Sequence, residues 1–120
     1  MDFTLTEDQA AVTSLASELL RDHCTQEALR ANEDSSEPGC DRALWAKLAS
    51  SGLLGVALPE SAGGLGLTVL EATLLLEEAG RYAAPVPLLA HTVSATALAR
   101  AGAPLDGLAD GSRLVAPALV

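Results

Sequence analysis

The sequence has few aromatic residues, and this scarcity limits the kind of core it can form. Of its 120 residues only 2% are aromatic, namely Phe3, Trp45 and Tyr82, whereas 49% are hydrophobic. A core built from Leu, Ala and Val favours packed helices over the aromatic-rich strands of a β-sandwich. The chain also lacks the aromatic platform on which proteins stack nucleic-acid bases. Its length and apolar content predict one folded domain rather than a disordered tail.

Basic residues are also scarce. Seven Lys and Arg stand against 16 Asp and Glu, so the formal net charge is −9. A chain of this charge repels polyanions, which argues against nucleic acids and anionic membranes as partners. The longest stretch without a charged residue, 82–99, contains two prolines and several polar side chains. It therefore does not predict a membrane span.

Only two cysteines are present, Cys24 and Cys40. The first residues are acidic where a secretory signal would be basic, so we expect a cytoplasmic location and reduced thiols. A metal site built from His23, Cys24 and Cys40 is disfavoured, because zinc needs a fourth ligand. His23 and Cys24 are also consecutive, which places them about 100° apart on a helix. The sequence predicts no metal-binding residue and no catalytic residue.

The sequence does contain the periodicity of helices. Apolar residues recur at steps of three and four after Thr6 and again after Thr68. Each threonine is followed three residues later by Gln9 or Glu71, which is the spacing of a capping box. Four helices are predicted, at about residues 6–24, 42–51, 68–82 and 88–101, with one further turn at 105–109.

Segments rich in glycine, proline or polar residues separate the predicted helices. Residues 32–41 are polar and acidic, and predict a loop. Residues 59–66 form a glycine-rich turn without the Gly-Lys-Ser/Thr ending of a phosphate loop or the GxGxxG spacing, so no phosphate site is predicted there. Residues 113–120 are mostly apolar and predict the start of a β-strand, which Pro117 restricts to a sheet edge or a bulge. The predicted fold class is all-α: an N-terminal helical bundle of about four to five helices over residues 1–112, followed by that strand.

Four stretches occur in an order that is typical of one enzyme family. They are residues 3–9, residues 44–56, the Pro-Glu-x-x-Gly-Gly-x-Gly turn at 59–66 and the Glu-Glu-x-Gly-Arg helix end at 77–81. Together they cover almost the whole chain and resemble the N-terminal helical domain of acyl-CoA dehydrogenases. The proline elbow at 83–87 is most similar to bacterial members, some of which pair an active with an inactive subunit.

The resemblance implies an FAD-dependent enzyme that dehydrogenates an acyl-CoA thioester between its α and β carbons. In the family a glutamate base in a C-terminal bundle removes the α-proton, and the flavin accepts the β-hydride. Most flavin contacts come from a middle β-domain, whose first strand residues 113–120 would supply, and from a neighbouring subunit. This chain is therefore expected to lack the base, and to be inactive and free of FAD by itself. It would contribute part of the acyl tunnel and an interface in a homo- or hetero-oligomer.

The resemblance also implies particular site residues. In the family the helix after the proline elbow lines the acyl tunnel, and the matching positions here are Leu89, Ala90 and Val93, with His91 adjacent. Their small and apolar side chains suit an acyl tail, although an ordinary helix core would explain them equally well. Leu119 and Val120 match the flavin-contacting end of the first strand. The family has a threonine where Val120 stands, and this departure weakens the expected contact.

Two other functions remain open at this point. The chain could belong to a non-catalytic partner subunit of a heteromeric dehydrogenase. It could instead be a stand-alone helical interaction module that has the fold without redox chemistry, in which case residues 114–120 would be covered by a partner. Sequence beyond Val120 would distinguish these alternatives by showing or lacking the glutamate base and the flavin-binding strand.

Overall fold

The computed structural model describes residues 4–118, and these residues form five α-helices. The helices are α1 (Glu7–His23), α2 (Gln26–Glu33), α3 (Arg42–Ser50), α4 (Val69–Arg81) and α5 (Leu88–Arg100). Two short 3-10 turns, Leu53–Gly55 and Glu60–Ala62, lie between α3 and α4. The all-α fold with about four to five helices is confirmed. No helix within residues 4–118 is both long and apolar enough to cross a membrane.

Helices α1 and α4 begin at the two predicted capping boxes. The backbone N–H of Gln9 donates to the hydroxyl of Thr6 at 3.2 Å, and the Gln9 side-chain oxygen accepts from the Thr6 N–H at 3.0 Å. At α4 the Thr68 N–H donates to the Glu71 carboxylate at 3.2 Å, and the Thr68 hydroxyl donates to the same carboxylate. Each box satisfies backbone groups that the first turn of a helix leaves unpaired.

Helix α2 is the element that the sequence did not predict. It begins after Thr25, whose hydroxyl accepts from the Ala28 N–H at 3.2 Å, and none of its residues is fully buried. Helix α2 has only eight residues, of which Ala28, Leu29 and Ala31 are apolar, so its apolar pattern is too short to identify a helix from the sequence. The predicted turn at 105–109 forms, as the Leu108 N–H donates to the Leu105 carbonyl at 3.2 Å, but it does not become a helix.

Two apolar clusters form the interior. The larger one joins α1, α3, α4 and the first residue of α5 to the segment around the first 3-10 turn, and contains Trp45 and Leu88. The smaller one packs Leu58 and Ala95 against Leu108. The second cluster fixes the segment after α5 against that helix, so α5 contributes to both clusters.

The segment predicted to start a strand lies at the end of the described chain. Residues 114–118 have no regular secondary structure, and residues 119 and 120 lie outside the described residues. A strand forms only where another strand pairs with it. The boundary between a helical domain at 1–112 and a strand at 113–120 therefore stays a prediction.

Candidate functional site

An open groove of about 400 Å³ runs between α4 and α5. Its walls are apolar and threonine side chains, with one charged residue at the end of α5. The lining residues are Val69, Ala72, Thr73, Leu76, Thr92, Val93, Thr96, Ala97 and Arg100. Grooves of this size and polarity accommodate small, mostly apolar ligands.

The periodicity of the two helices explains why the groove is apolar. On α5, Val93, Ala97 and Arg100 follow one another at steps of four and three, so they lie on one face. Val93 is 50% exposed and Val69, opposite on α4, is 49% exposed. Large apolar side chains that stay half exposed on two facing helices indicate a surface for a ligand or for another part of a protein.

A second depression of about 580 Å³ continues from this groove. The two share Val69, Thr96 and Arg100, and the second extends to Pro59 and Leu70. Arg100 therefore lies where the two depressions meet. An elongated ligand in the groove would have its far end near the only side chain of the lining that carries a charge.

The four residues predicted to bind the acyl chain occupy different environments. Val93 lines the groove. Leu89, one turn earlier on α5, is 62% exposed, and Ala90 is half-buried; neither lines the groove. His91 is fully buried in the interior. The predicted flavin contacts, Leu119 and Val120, lie outside the described residues.

His91 makes two hydrogen bonds in the interior. Its Nε2 lies 3.0 Å from the carbonyl oxygen of Leu108, and its Nδ1 accepts from the Val115 N–H at 3.3 Å. Because a carbonyl oxygen can only accept, Nε2 carries a hydrogen. Because Nδ1 accepts from an N–H, it carries none, and the ring is therefore neutral. Burial lowers the pKa of His91, and the bond to the Leu108 carbonyl opposes that shift only in part. The ring also meets Trp45 edge-on, with centroids 5.0 Å apart.

The glycine-rich turn does not offer a site for the phosphates of FAD. Its backbone amides are already used: Gly63, Gly64, Leu65 and Gly66 donate to carbonyls of Glu60, Pro59, Gly55 and Leu58. A phosphate-binding loop needs amides that point at the ligand. The turn at residues 59–66 therefore does not fit the diphosphate of FAD.

The paired glutamates at the end of α4 face different ways, as their adjacent positions predict. Glu77 is exposed and lies 3.3 Å from Arg81, whereas Glu78 is 5% exposed with its Oε1 3.7 Å from Arg81. This separation does not suit a pair that shares a proton. Within residues 4–118 no three His, Cys, Asp or Glu side chains are grouped so that they could hold a metal ion.

Sequence reasoning missed most of the groove lining. Ala97 and Arg100 follow Val93 at helical spacing, and this spacing was available in the sequence. The α4 residues Val69, Thr73 and Leu76 have the same spacing of four and three, but the sequence does not show that this face of α4 lies opposite α5. Only the angle between the two helices shows which of these side chains remain uncovered.

Comparison with known proteins identifies the relatives of the fold. A family model described as "Acyl-CoA dehydrogenase, N-terminal domain" matches residues 6–105. The acyl-CoA dehydrogenase FadE27 of Mycobacterium tuberculosis is 43% identical over 105 residues, which are 87% of this chain and 28% of that protein. The acyl-CoA dehydrogenase IpdE2 of Mycolicibacterium smegmatis is 34% identical over 113 residues, which are 92% of this chain and 36% of that protein.

Two solved structures have the same arrangement of helices. A variant of the Tcur3481–Tcur3483 steroid ACAD is 46% identical with a TM-score of 0.85, covering 92% of this chain and 32% of that one. The ChsE4–ChsE5 complex from Mycobacterium tuberculosis is 36% identical with a TM-score of 0.85, covering 95% and 33%. The chain thus spans between 28% and 36% of the length of these four relatives.

Proposed function

Because the chain belongs to the acyl-CoA dehydrogenase family, as its N-terminal helical domain, we propose that it forms one wall of the acyl-binding site of such an enzyme. The complete protein would dehydrogenate an acyl-CoA thioester between its α and β carbons. FAD would supply the hydride acceptor there. The catalytic base and the flavin site would come from parts of the protein outside residues 4–118.

The observation that carries this proposal is the groove between α4 and α5. It contains Val93, one of the residues that the family resemblance predicts to contact the acyl chain, and it continues past Ala97 to Arg100. Each methylene group moved from water into such an apolar groove contributes about 0.8 kcal/mol of binding free energy. The groove would therefore favour long or bulky acyl groups over short ones, and α4 and α5 would determine chain-length preference rather than the chemistry.

The proposal is tested by a substitution that fills the groove with a large side chain in the full-length enzyme. We expect Ala97→Trp to raise KM for a long acyl-CoA roughly tenfold or more, because the indole would occupy the space of several methylenes. The KM for a short acyl-CoA, which does not reach Ala97, should change little. Steady-state kinetics with a series of acyl-CoA chain lengths measures both.

The matched control places the same indole elsewhere. Ala46 on α3 is exposed and lies outside the groove, so Ala46→Trp should leave every KM unchanged. A KM series for Ala97→Trp that coincides with the wild-type series at all chain lengths would contradict the proposal. Circular dichroism of both variants checks that each retains its helices.

A second candidate role is that of a subunit in a heteromeric dehydrogenase. It is favoured by one observation: the structure of the ChsE4–ChsE5 complex shares this fold at a TM-score of 0.85. In this role the domain would pair with a different acyl-CoA dehydrogenase chain, and its own subunit need not hold the base. Native mass spectrometry of the full-length protein, affinity-purified from its native cell, would show a mixed oligomer with a second acyl-CoA dehydrogenase chain; a homo-oligomer would contradict this role.

We place the protein in the cytoplasm. Cys24 and Cys40 are both free thiols in the structure, and reduced thiols persist in that compartment. Burial raises the pKa of the Cys24 thiol, and nearby Asp41 adds to the shift, which keeps this sulfur protonated and unreactive. Fluorescence microscopy of a tagged full-length protein in its native cell would test the location.

A further inference from the structure

Helix α5 has two functional faces. Val93, Ala97 and Arg100 face the groove. His91 lies on the buried side, where its ring contacts Trp45 and the segment that follows α5. The same rigid helix therefore holds both the proposed acyl-binding wall and the last part of the described chain.

The segment after α5 forms a closed loop whose two ends meet at His91. The Leu108 carbonyl and the Val115 N–H, seven positions apart, bond to the two nitrogens of one imidazole ring. Between them, the Trp45 indole N–H donates to the Gly111 carbonyl at 3.2 Å. The Arg113 N–H closes the loop internally by donating to the Gly107 carbonyl at 2.9 Å.

Of the hydrogen bonds made by residues 108–115, the one between Val115 and His91 lies nearest the end of the described chain. Leu114 is exposed and Val115 is half-buried, and residues 116–118 are exposed without regular structure. Within residues 4–118, the bond from the Val115 N–H to His91 is the last hydrogen bond between the helices and the end of the described chain. A small rotation of this peptide would change the direction of residues 116–118.

We propose that His91 is a positioning residue: it bridges Leu108 and Val115 and thereby fixes the direction in which the chain leaves the bundle relative to the groove. This step rests on the proposed function, because it concerns acyl binding only if the groove between α4 and α5 is the acyl-binding site. His91 acts through the backbone and does not contact the substrate. It therefore differs from Leu89, Ala90 and Val93, with which the family resemblance grouped it.

Two substitutions separate this role from simple packing. Phenylalanine has a ring of similar size and preserves the apolar contacts with Trp45, but it bonds to neither partner. Glutamine can supply an amide N–H to the Leu108 carbonyl and a carbonyl oxygen to the Val115 N–H, as the two nitrogens of the neutral imidazole do, with one further N–H of its own. If His91 only fills space, His91→Phe should disturb the protein less than His91→Gln. If His91 positions the segment through its two hydrogen bonds, His91→Gln should disturb the protein less than His91→Phe.

The first measurement is amide hydrogen exchange in the full-length protein. His91→Phe should speed exchange at Val115 about tenfold, the change expected when one hydrogen bond of ordinary strength is lost. His91→Gln should keep exchange at Val115 near the wild-type rate. Amides of α1, none of whose residues belongs to the apolar cluster around Leu108, provide the internal reference.

The second measurement is acyl-CoA affinity by isothermal titration calorimetry on the same proteins. Because displacement of a positioning element weakens contacts far from it, His91→Phe should raise Kd for a long acyl-CoA about tenfold and His91→Gln should restore it. Unchanged Val115 exchange in His91→Phe would overturn the bridge. Faster exchange with unchanged Kd would overturn the positioning role.

These outcomes are distinct from failure of the proposed function. If Ala97→Trp leaves the KM series unchanged, the groove is not the acyl site and the link from His91 to acyl binding falls with it. The exchange rate at Val115 would still show whether His91 holds the two ends of the loop. The KM series of Ala97→Trp and the exchange rate at Val115 therefore fail independently of each other.

Discussion

Gly64 occupies a position where the backbone passes too close to its neighbours for a larger residue. A Cβ atom there would overlap the Leu58 carbonyl oxygen and lie 2.7 Å from the carbonyl oxygen of Gly55. Both obstacles are backbone atoms, so no side-chain rotation relieves the clash. We expect Gly64→Ala to lower the free energy of unfolding by about 3 kcal/mol, measured by urea denaturation.

Gly80 supplies the matched control for this substitution. It lies inside α4, and a Cβ atom there would meet nothing within 4 Å. Alanine is favoured over glycine in a helix, so at this position in the last turn Gly80→Ala should raise the free energy of unfolding by up to about 0.5 kcal/mol. Equal effects of the two substitutions would show that the turn at 59–66 can relax around Gly64, contrary to the close approach described.

At the scale of the helix, the two capping boxes differ in how much they bury. Thr6 is exposed and Gln9 is half-buried, whereas Glu71 is only 8% exposed. The hydrogen bond from the Thr68 hydroxyl lowers the pKa of the Glu71 carboxyl, so the carboxylate is the form held there. Thr68→Ala should cost about 2 kcal/mol, because it removes the cap and leaves that carboxylate with fewer donors.

The comparison for this prediction is Thr6→Ala, which should cost only about 1 kcal/mol. Glu71→Gln tests the box itself: Gln9 already accepts the backbone bond at α1, so a glutamine at 71 should preserve most of the cap. Chemical denaturation of the three variants gives the loss in free energy of unfolding for each. A larger loss for Thr6→Ala than for Thr68→Ala would contradict the role given to burial.

The sequence predicted those elements whose signals are local. Capping boxes and apolar periodicity located α1, α3, α4 and α5, and the motif order predicted the family. Helix α2 was missed because only three of its eight residues are apolar, which is too short a pattern to identify a helix. The position of His91 was not predicted either, because its partners Leu108 and Val115 are 17 and 24 residues away in sequence. The groove depends in the same way on how two separate helices pack.

At the scale of the whole molecule, His91 connects the two apolar clusters. Its ring contacts Trp45 of the larger cluster and bonds to Leu108 of the smaller one. A protonated ring would lose the Nδ1 lone pair that accepts the Val115 N–H, and it would place a charge in the interior. The protonation state of one side chain thus influences how the end of the described chain is attached to the bundle.

This arrangement predicts a loss of stability in mild acid. Burial lowers the pKa of His91 below the value of a free imidazole, about 6.5. As the pH falls below that value, the unfolded chain binds a proton that the folded chain does not, so folding becomes less favourable until the folded-state pKa is passed. The urea midpoint should decrease between pH 7.5 and pH 5.

His91→Gln identifies the group responsible, because an amide offers the same donor and acceptor without titrating. In this variant the decrease between pH 7.5 and pH 5 should become smaller, since the proton uptake by the imidazole at 91 is gone. The carboxyls of Glu71 and Asp110, whose pKa values hydrogen bonds lower, contribute to acid unfolding below this window. A pH dependence in His91→Gln as steep as that of the parent chain would show that another group drives the change. Such a result would also contradict the view that the segment 108–115 is held in place only by the neutral form of His91.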